Sequence, residues 1–135
     1  MAEARRYTLD TSAIMAYFAD EAGADRVERI LTLSDRGTID AYASFMAYME
    51  VLYGVWRRLG EKTGKATYLR FKALAIRRVD ASEELLLAAA RIKATHELSV
   101  ADAWIAATAL ETGSVLVTRN AKHFRAIRGL KVVGH

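Results

Sequence analysis

The sequence predicts an α/β protein with a small, mostly parallel sheet and helices on both faces. Three observations carry this. Short strand-like segments alternate with helical patterns along the whole chain, the order that builds parallel sheets through crossover helices. Residues 114–118 (SVLVT) form a largely apolar run, as a strand buried on both faces shows. Helix limits are marked by Ser44 and Ser99 as caps and by Gly37, Gly60 and Gly113 as stops.

In order, residues 6–9 read as a strand that ends at Asp10-Thr11-Ser12, and an apolar helix follows over 13–19. A second helix is expected over 21–36, with Val27, Ile30, Leu31 and Leu33 as its apolar stripe. Residues 38–43 form a weaker strand. Ser44 caps a helix over 45–59, and another runs over about 65–74. Residues 76–79 form a short strand. Asp80-Ala-Ser-Glu83 is a capping-box pattern opening a helix over 84–96. Ser99-Val-Ala-Asp102 is a similar pattern opening a helix to Thr112. After the strand over 114–118, Asn120 caps a short helix to about Ile127, and residues 130–133 close as a strand. Ligand sites in such folds lie beyond the carboxyl ends of the strands, so Asp10 and Thr118 are expected at one edge of the sheet.

A chain of 135 residues that is 53% hydrophobic suits one domain, residues 1–135, with one core. The absence of cysteine excludes disulfides and thiolate metal sites. Arg5 and Arg6 precede an apolar stretch, but Asp10 breaks it and no small-residue cleavage pattern follows, so a signal peptide is not expected. No apolar run reaches the roughly 18 residues of a membrane span, and the chain reads as cytoplasmic. A net charge of +4 and a pI near 9.5 fit a polyanionic partner without requiring one.

Three acids stand where acids are costly. Asp10 is the lone charge between Tyr7 and Ala19, Glu50 between Ala41 and Trp56, and Asp102 between Leu98 and Leu110. An ionised carboxylate in a core needs a partner, a metal or a proton. No Lys or Arg lies in these stretches. One divalent cation satisfies several carboxylates at once, and an oxygen-only donor set favours Mg2+ or Mn2+ over zinc. Each acid also has a plainer reading. Asp102 completes a capping box with Ser99, Glu50 snorkels to the surface, or Asp10 is a turn residue that caps the first helix.

The motifs around these acids resemble those of PIN-domain proteins, most closely the VapC-type ribonuclease toxins of type II toxin–antitoxin systems. YTLDTSA from Tyr7 resembles the opening strand and first acid of that family. MEVLYG from Met49 resembles the second acidic motif, and LSVADAWIAATAL from Leu98 the third, the most specific of the set. VLVTRNAKHF from Val115 resembles the fourth. They occur in order over nearly the whole chain.

The resemblance implies a PIN-like three-layer α/β/α fold and hydrolysis of RNA phosphodiester bonds with one or two Mg2+ or Mn2+ ions. By position it assigns Asp10, Glu50 and Asp102 as metal ligands and catalytic acids. It also implies a homodimer and an antitoxin whose tail blocks the acidic pocket, for example with an Arg against the carboxylates. One departure stands out. Asn120 and His123 occupy the two places where many relatives carry a fourth acid. Asn brings hydrogen bonds but no charge, so a second metal site is in doubt and weaker metal binding is expected.

Asp10 and Asp102 are the main expected ligands, with Glu50 binding directly, through water, or orienting the attacking water. Ser12 and Thr118 offer hydroxyls for positioning a carboxylate or a phosphate oxygen, or else serve as caps or turns. Asn120 contacts water or substrate, or only caps its helix. His123 reads as structural rather than as a general acid. His96 and His135 have no ligand-like spacing. Arg119, Lys122, Arg125 and Arg128, and separately Arg57, Arg58, Lys62 and Lys65, are candidate RNA phosphate contacts or simply solvated faces. Met15, Phe18, Phe45, Tyr48, Tyr53 and Trp56 are either core or part of an apolar groove for the antitoxin.

Two other function classes remain in view. One is a PIN fold that binds RNA or protein without cleaving, which the missing fourth acid favours. The other is a phosphatase or phosphotransferase with Asp10 as nucleophile, or a receiver-type domain. The first of these wants a second acid where Ser12 stands, and the receiver wants an acidic pair that is absent.

Overall fold

The computed structural model of the chain describes residues 4–134, so His135 lies outside the described residues. Twelve elements alternate as expected: β1 (Arg6–Leu9), α1 (Thr11–Ala19), α2 (Ala24–Asp35), β2 (Asp40–Ser44), α3 (Phe45–Leu59), α4 (Glu61–Lys72), β3 (Arg77–Val79), α5 (Glu83–Thr95), α6 (Val100–Thr112), β4 (Val115–Val117), α7 (Ala121–Phe124) and β5 (Val132–Val133). The strands form one sheet in the order β3-β2-β1-β4-β5, and all four pairings are parallel. β1 is central, with Leu9 opposite Val117 and Thr8 opposite Tyr42.

Strand alternation divides the apolar interior into two clusters, one on each face of the sheet. Leu9, Ala43 and Val117 pack with Ile14 of α1, Val27 and Ile30 of α2, Val51 of α3 and Phe71 of α4. Leu116 points the other way, into Leu85 and Ile92 of α5, Ile105 and Ala106 of α6, and Phe124 of α7. Thr8 is fully buried on that second face, and its hydroxyl is held by Ser114 Oγ at 2.5 Å.

Element limits differ from the sequence expectation at identifiable places. The turn between α1 and α2 takes residues 20–23, because Asp20 adopts a left-handed conformation (φ 53°) and Gly23 another (φ 98°). α4 begins at Glu61 and runs through Gly64, where a Cβ would come within 2.9 Å of Trp56 Cβ. The glycine lets α4 close on α3, and this packing outweighs its low helix propensity. α5 is capped by Ser82, whose hydroxyl accepts from Leu85 N at 3.2 Å, rather than by Asp80. Asp80 instead pairs with Arg78 at 2.8 Å. The helix after Asn120 is a single turn that ends at Phe124, and Asn120 makes no side-chain cap.

Candidate active site

Asp10 follows the last residue of the central strand. Its backbone N–H continues the ladder to Val117 O at 2.9 Å, and its carbonyl starts α1. The side chain is 3% exposed. Oδ1 accepts from Thr11 N at 2.8 Å, so Asp10 is indeed the N-cap of α1. Oδ2 accepts two hydroxyls, Ser12 Oγ at 2.8 Å and Thr118 Oγ1 at 2.6 Å. Ser12 and Thr118 are themselves held, by Arg119 N on Ser12 Oγ at 3.0 Å and Asn120 N on Thr118 Oγ1 at 3.0 Å. The first acid is thus fixed by β4 and the chain after it, at the carboxyl edge of the sheet.

Glu50 projects from the middle of α3. Its Oε1 accepts from Thr11 Oγ1 at 2.6 Å, which ties α3 to the first residue of α1. Asp102 sits in the first turn of α6, where Ser99 Oγ accepts from its N–H at 3.1 Å, so the capping arrangement read from the sequence is present.

Both half-buried acids hold protons more tightly than usual. Burial is the main cause for Glu50, opposed by the Thr11 hydrogen bond and reinforced by the charges of Asp10 and Asp102. Burial again leads for Asp102, reinforced by Asp10 and opposed by the Ser99 hydrogen bond and His123. Glu50 thus feels the charges of Asp10 and Asp102, and Asp102 feels that of Asp10. Among the described residues no Lys or Arg forms an ion pair with any of them. Nor are three such side chains already gathered closely enough to grip an ion.

The remaining sequence candidates divide. Ser12 and Thr118 belong to the site. Arg119 contributes its backbone N–H, while its guanidinium turns to Glu21 at 2.8 Å. Asn120 is exposed beside Thr118. His123 lies near enough to Asp102 to act on its charge. Arg57, Arg58, Lys62, Lys122, Arg125 and Arg128 are exposed, and Lys65 pairs with Glu61 at 2.6 Å. Of the aromatic candidates, Tyr48 stacks on Phe71 at 3.9 Å, and Phe45 meets Trp104 edge-on at 5.1 Å. Met15 and Phe18 pack against the core, whereas Tyr53 and Trp56 remain 44% and 41% exposed.

Sequence reasoning missed Thr11. Its position immediately after Asp10, about 100° further round the helix, was the available signal: it has to face a different partner from the one Ser12 faces.

Comparison with known proteins supplies the family. A family model for the PIN domain matches residues 7–130. No curated protein matches the chain significantly. Solved structures do. VapBC from Salmonella typhimurium bound to DNA superposes with a TM-score of 0.77 at 22% identity, covering 96% of this chain and 97% of that one. VapBC2 from Rickettsia felis, bound to a promoter DNA fragment, gives 0.76 at 19% identity, covering 96% and 98%. Mycobacterium tuberculosis VapC20, described as a sarcin–ricin loop cleaving toxin, gives 0.63 at 19% identity, covering 84% and 87%. Identities this low speak for the fold. With the family match spanning nearly all of the sheet and its helices, the chain belongs to the PIN domain family.

Proposed function

We propose that the chain is a metal-dependent ribonuclease of the VapC type, the toxin of a toxin–antitoxin pair, and that Asp10, Glu50 and Asp102 are its metal ligands and catalytic acids. The observation that carries this reading is that three carboxylates stand at one sheet edge, two of them raised in proton affinity by burial first and by neighbouring acids next, with no cation paired to any of them among the described residues. Such an arrangement is unfavourable alone and becomes favourable around positive charge.

The donor set fits Mg2+ or Mn2+. It offers hard oxygen ligands only, and one of them, Asp10, is prepositioned by three hydrogen bonds. A divalent ion, if bound by Asp10, Glu50 and Asp102, would lower the pKa of water and offset charge on a phosphodiester. The chain's own residues do the rest. Ser12 and Thr118 keep Asp10 in one rotamer, and Thr11 keeps Glu50 turned toward the same edge. Held by Thr11, Glu50 is placed to bind the ion directly or through water, or to orient the attacking water. Asn120, exposed at the lip, offers its amide to a substrate oxygen. With Asn120 and His123 in place of a fourth acid, a single ion is the expected load.

The antitoxin reading is supported by neighbours that are VapBC complexes. It is supported too by the apolar side chains Met49, Tyr53 and Trp56 left exposed along α3 beside Glu50. A homodimer acting in the cytoplasm completes this reading. Among the described residues no helix is long and apolar enough to cross a membrane.

A second reading, a PIN module that binds RNA without cutting it, is favoured by the ungathered carboxylates. One experiment separates them. Antitoxin-free protein is incubated with structured RNA in Mg2+, Mn2+ or EDTA, beside Asp10→Asn and Asp102→Asn. Metal-dependent cleavage lost in both variants supports the nuclease. RNA binding that is unchanged in both variants, with no cleavage in any condition, supports the second reading.

A further inference from the structure

Beside Asp102 the surface opens into a cleft of about 720 Å3. It is lined by the end of α5, the connection from α5 to α6, and His123 of α7. Asp102 belongs to both, so the cleft adjoins the acidic site. A nucleotide next to a phosphodiester held at the carboxylates has walls to meet here.

The connection is held on two sides. His96 Nε2 lies 3.3 Å from Ala126 O, and its Nδ1 lies 2.9 Å from Thr95 Oγ1. Leu98 is 8% exposed in the core, and Ser99 caps α6. Glu97 is thus carried on a backbone fixed before and after it. Lys93 and Glu97 both line the cleft and are both exposed. Although opposite in charge and four residues apart, they form no ion pair with each other or with any other described residue. A charged pair left apart in an open cleft is free to meet a ligand that carries both an anion and hydrogen-bond donors.

We propose, building on the nuclease reading above, that this cleft takes a nucleotide flanking the scissile bond, with Lys93 on its phosphate and Glu97 reading guanine. A carboxylate only accepts hydrogen bonds, through two oxygens side by side. Guanine is the one RNA base whose Watson–Crick edge presents two adjacent donors, N1–H and N2–H. Adenine and cytosine set an acceptor nitrogen beside their amino group, and uracil flanks its single N–H with carbonyls. Unpaired RNA bases are read on these edges. Lys93 supplies a point charge, which secures the phosphate without selecting a base.

The test uses the full chain, short RNAs with randomised positions, and an NMR titration with guanosine 5′-monophosphate or uridine 5′-monophosphate. Wild-type protein is expected to favour guanine at one position beside the cut. Inosine there, which lacks the N2 amino group, lowers kcat/KM roughly tenfold. Glu97→Gln loses the preference without a change in Tm. Lys93→Ala raises KM at constant kcat, and Lys93→Arg restores it. Amides of residues 93–99 shift with the guanosine nucleotide and not with the uridine nucleotide.

Cleavage with no base preference altered by Glu97→Gln, and no shift at residues 93–99, overturns the cleft assignment and leaves the nuclease standing. The nucleotide-specific shifts without cleavage of any RNA leave the cleft standing and overturn the nuclease. Neither cleavage nor shifts overturns both.

Discussion

Replacing Thr118 by Val keeps the shape of a side chain that is 1% exposed and deletes one hydroxyl. That hydroxyl donates to Asp10 Oδ2 at 2.6 Å and accepts from Asn120 N at 3.0 Å. The second bond is part-buried and its donor belongs to exposed Asn120, where water can take over the N–H at modest cost. The first is a short hydrogen bond to a buried acid, and bonds to charged groups contribute about 1.5–3 kcal/mol. Asp10 keeps Thr11 N and Ser12 Oγ as donors, so the loss stays within that range. For a chain of this length it lowers Tm by roughly 5–15 °C. Loosening the outer contacts of a ligand also weakens metal affinity about 10- to 100-fold. Thermal unfolding and a Mn2+ titration measure the two effects, with Thr118→Ser as the variant that keeps both. An unchanged Tm together with unchanged Mn2+ affinity in Thr118→Val would refute the view that this hydroxyl holds the acid.

Three further outcomes are expected. The raised proton affinity of Glu50 and Asp102 means the folded chain binds protons more tightly than the unfolded one. Their contribution is therefore fully present below the unfolded pKa and lost as pH rises through the raised folded pKa. In metal-free urea unfolding, Asp102→Asn then flattens the pH dependence of stability; an unchanged dependence would contradict the raised proton affinity. Gly64→Ala forces a Cβ against Trp56 backbone and Cβ atoms at 2.9–3.0 Å, and chemical denaturation should report a loss of about 1–3 kcal/mol despite alanine's better helix propensity. Ser99→Ala removes the cap of α6 and costs about 1 kcal/mol, with Ser99→Asp recovering most of it in the same assay.

Much of the fold was legible because local signals agreed with their tertiary setting. Ser44 and Ser99 cap the helices that their spacing announces, and residues 114–118 contain β4. The misplaced limits depend on contacts the local pattern does not contain. Gly64 looks like a helix breaker until α3 is against it, and Asp20 in a left-handed turn is decided by how α1 meets α2. The acids were legible for an energetic reason: a lone carboxylate in an apolar stretch has to be compensated. The hydroxyls of Ser12 and Thr118 beside Asp10 were legible too, but two longer-range pairings were not. Thr11 meets Glu50 across 39 positions and Arg119 meets Glu21 across 98. Arg119 looked like a free cation because nothing near it in sequence is acidic.

The three consecutive residues Asp10, Thr11 and Ser12 bind α3 through Glu50 and the end of β4 through Thr118. These partners lie 39 and more than 100 positions downstream. During synthesis the chain therefore carries its first acid with only its neighbours Thr11 and Ser12 to hold it, long before Thr118 arrives. Asp102 and Thr118 leave the ribosome last, and only their docking beside β1 closes the site. Such long-range closure comes late in folding. The full set of contacts around Asp10 therefore waits on β4, although Thr11 and Glu50 can meet earlier.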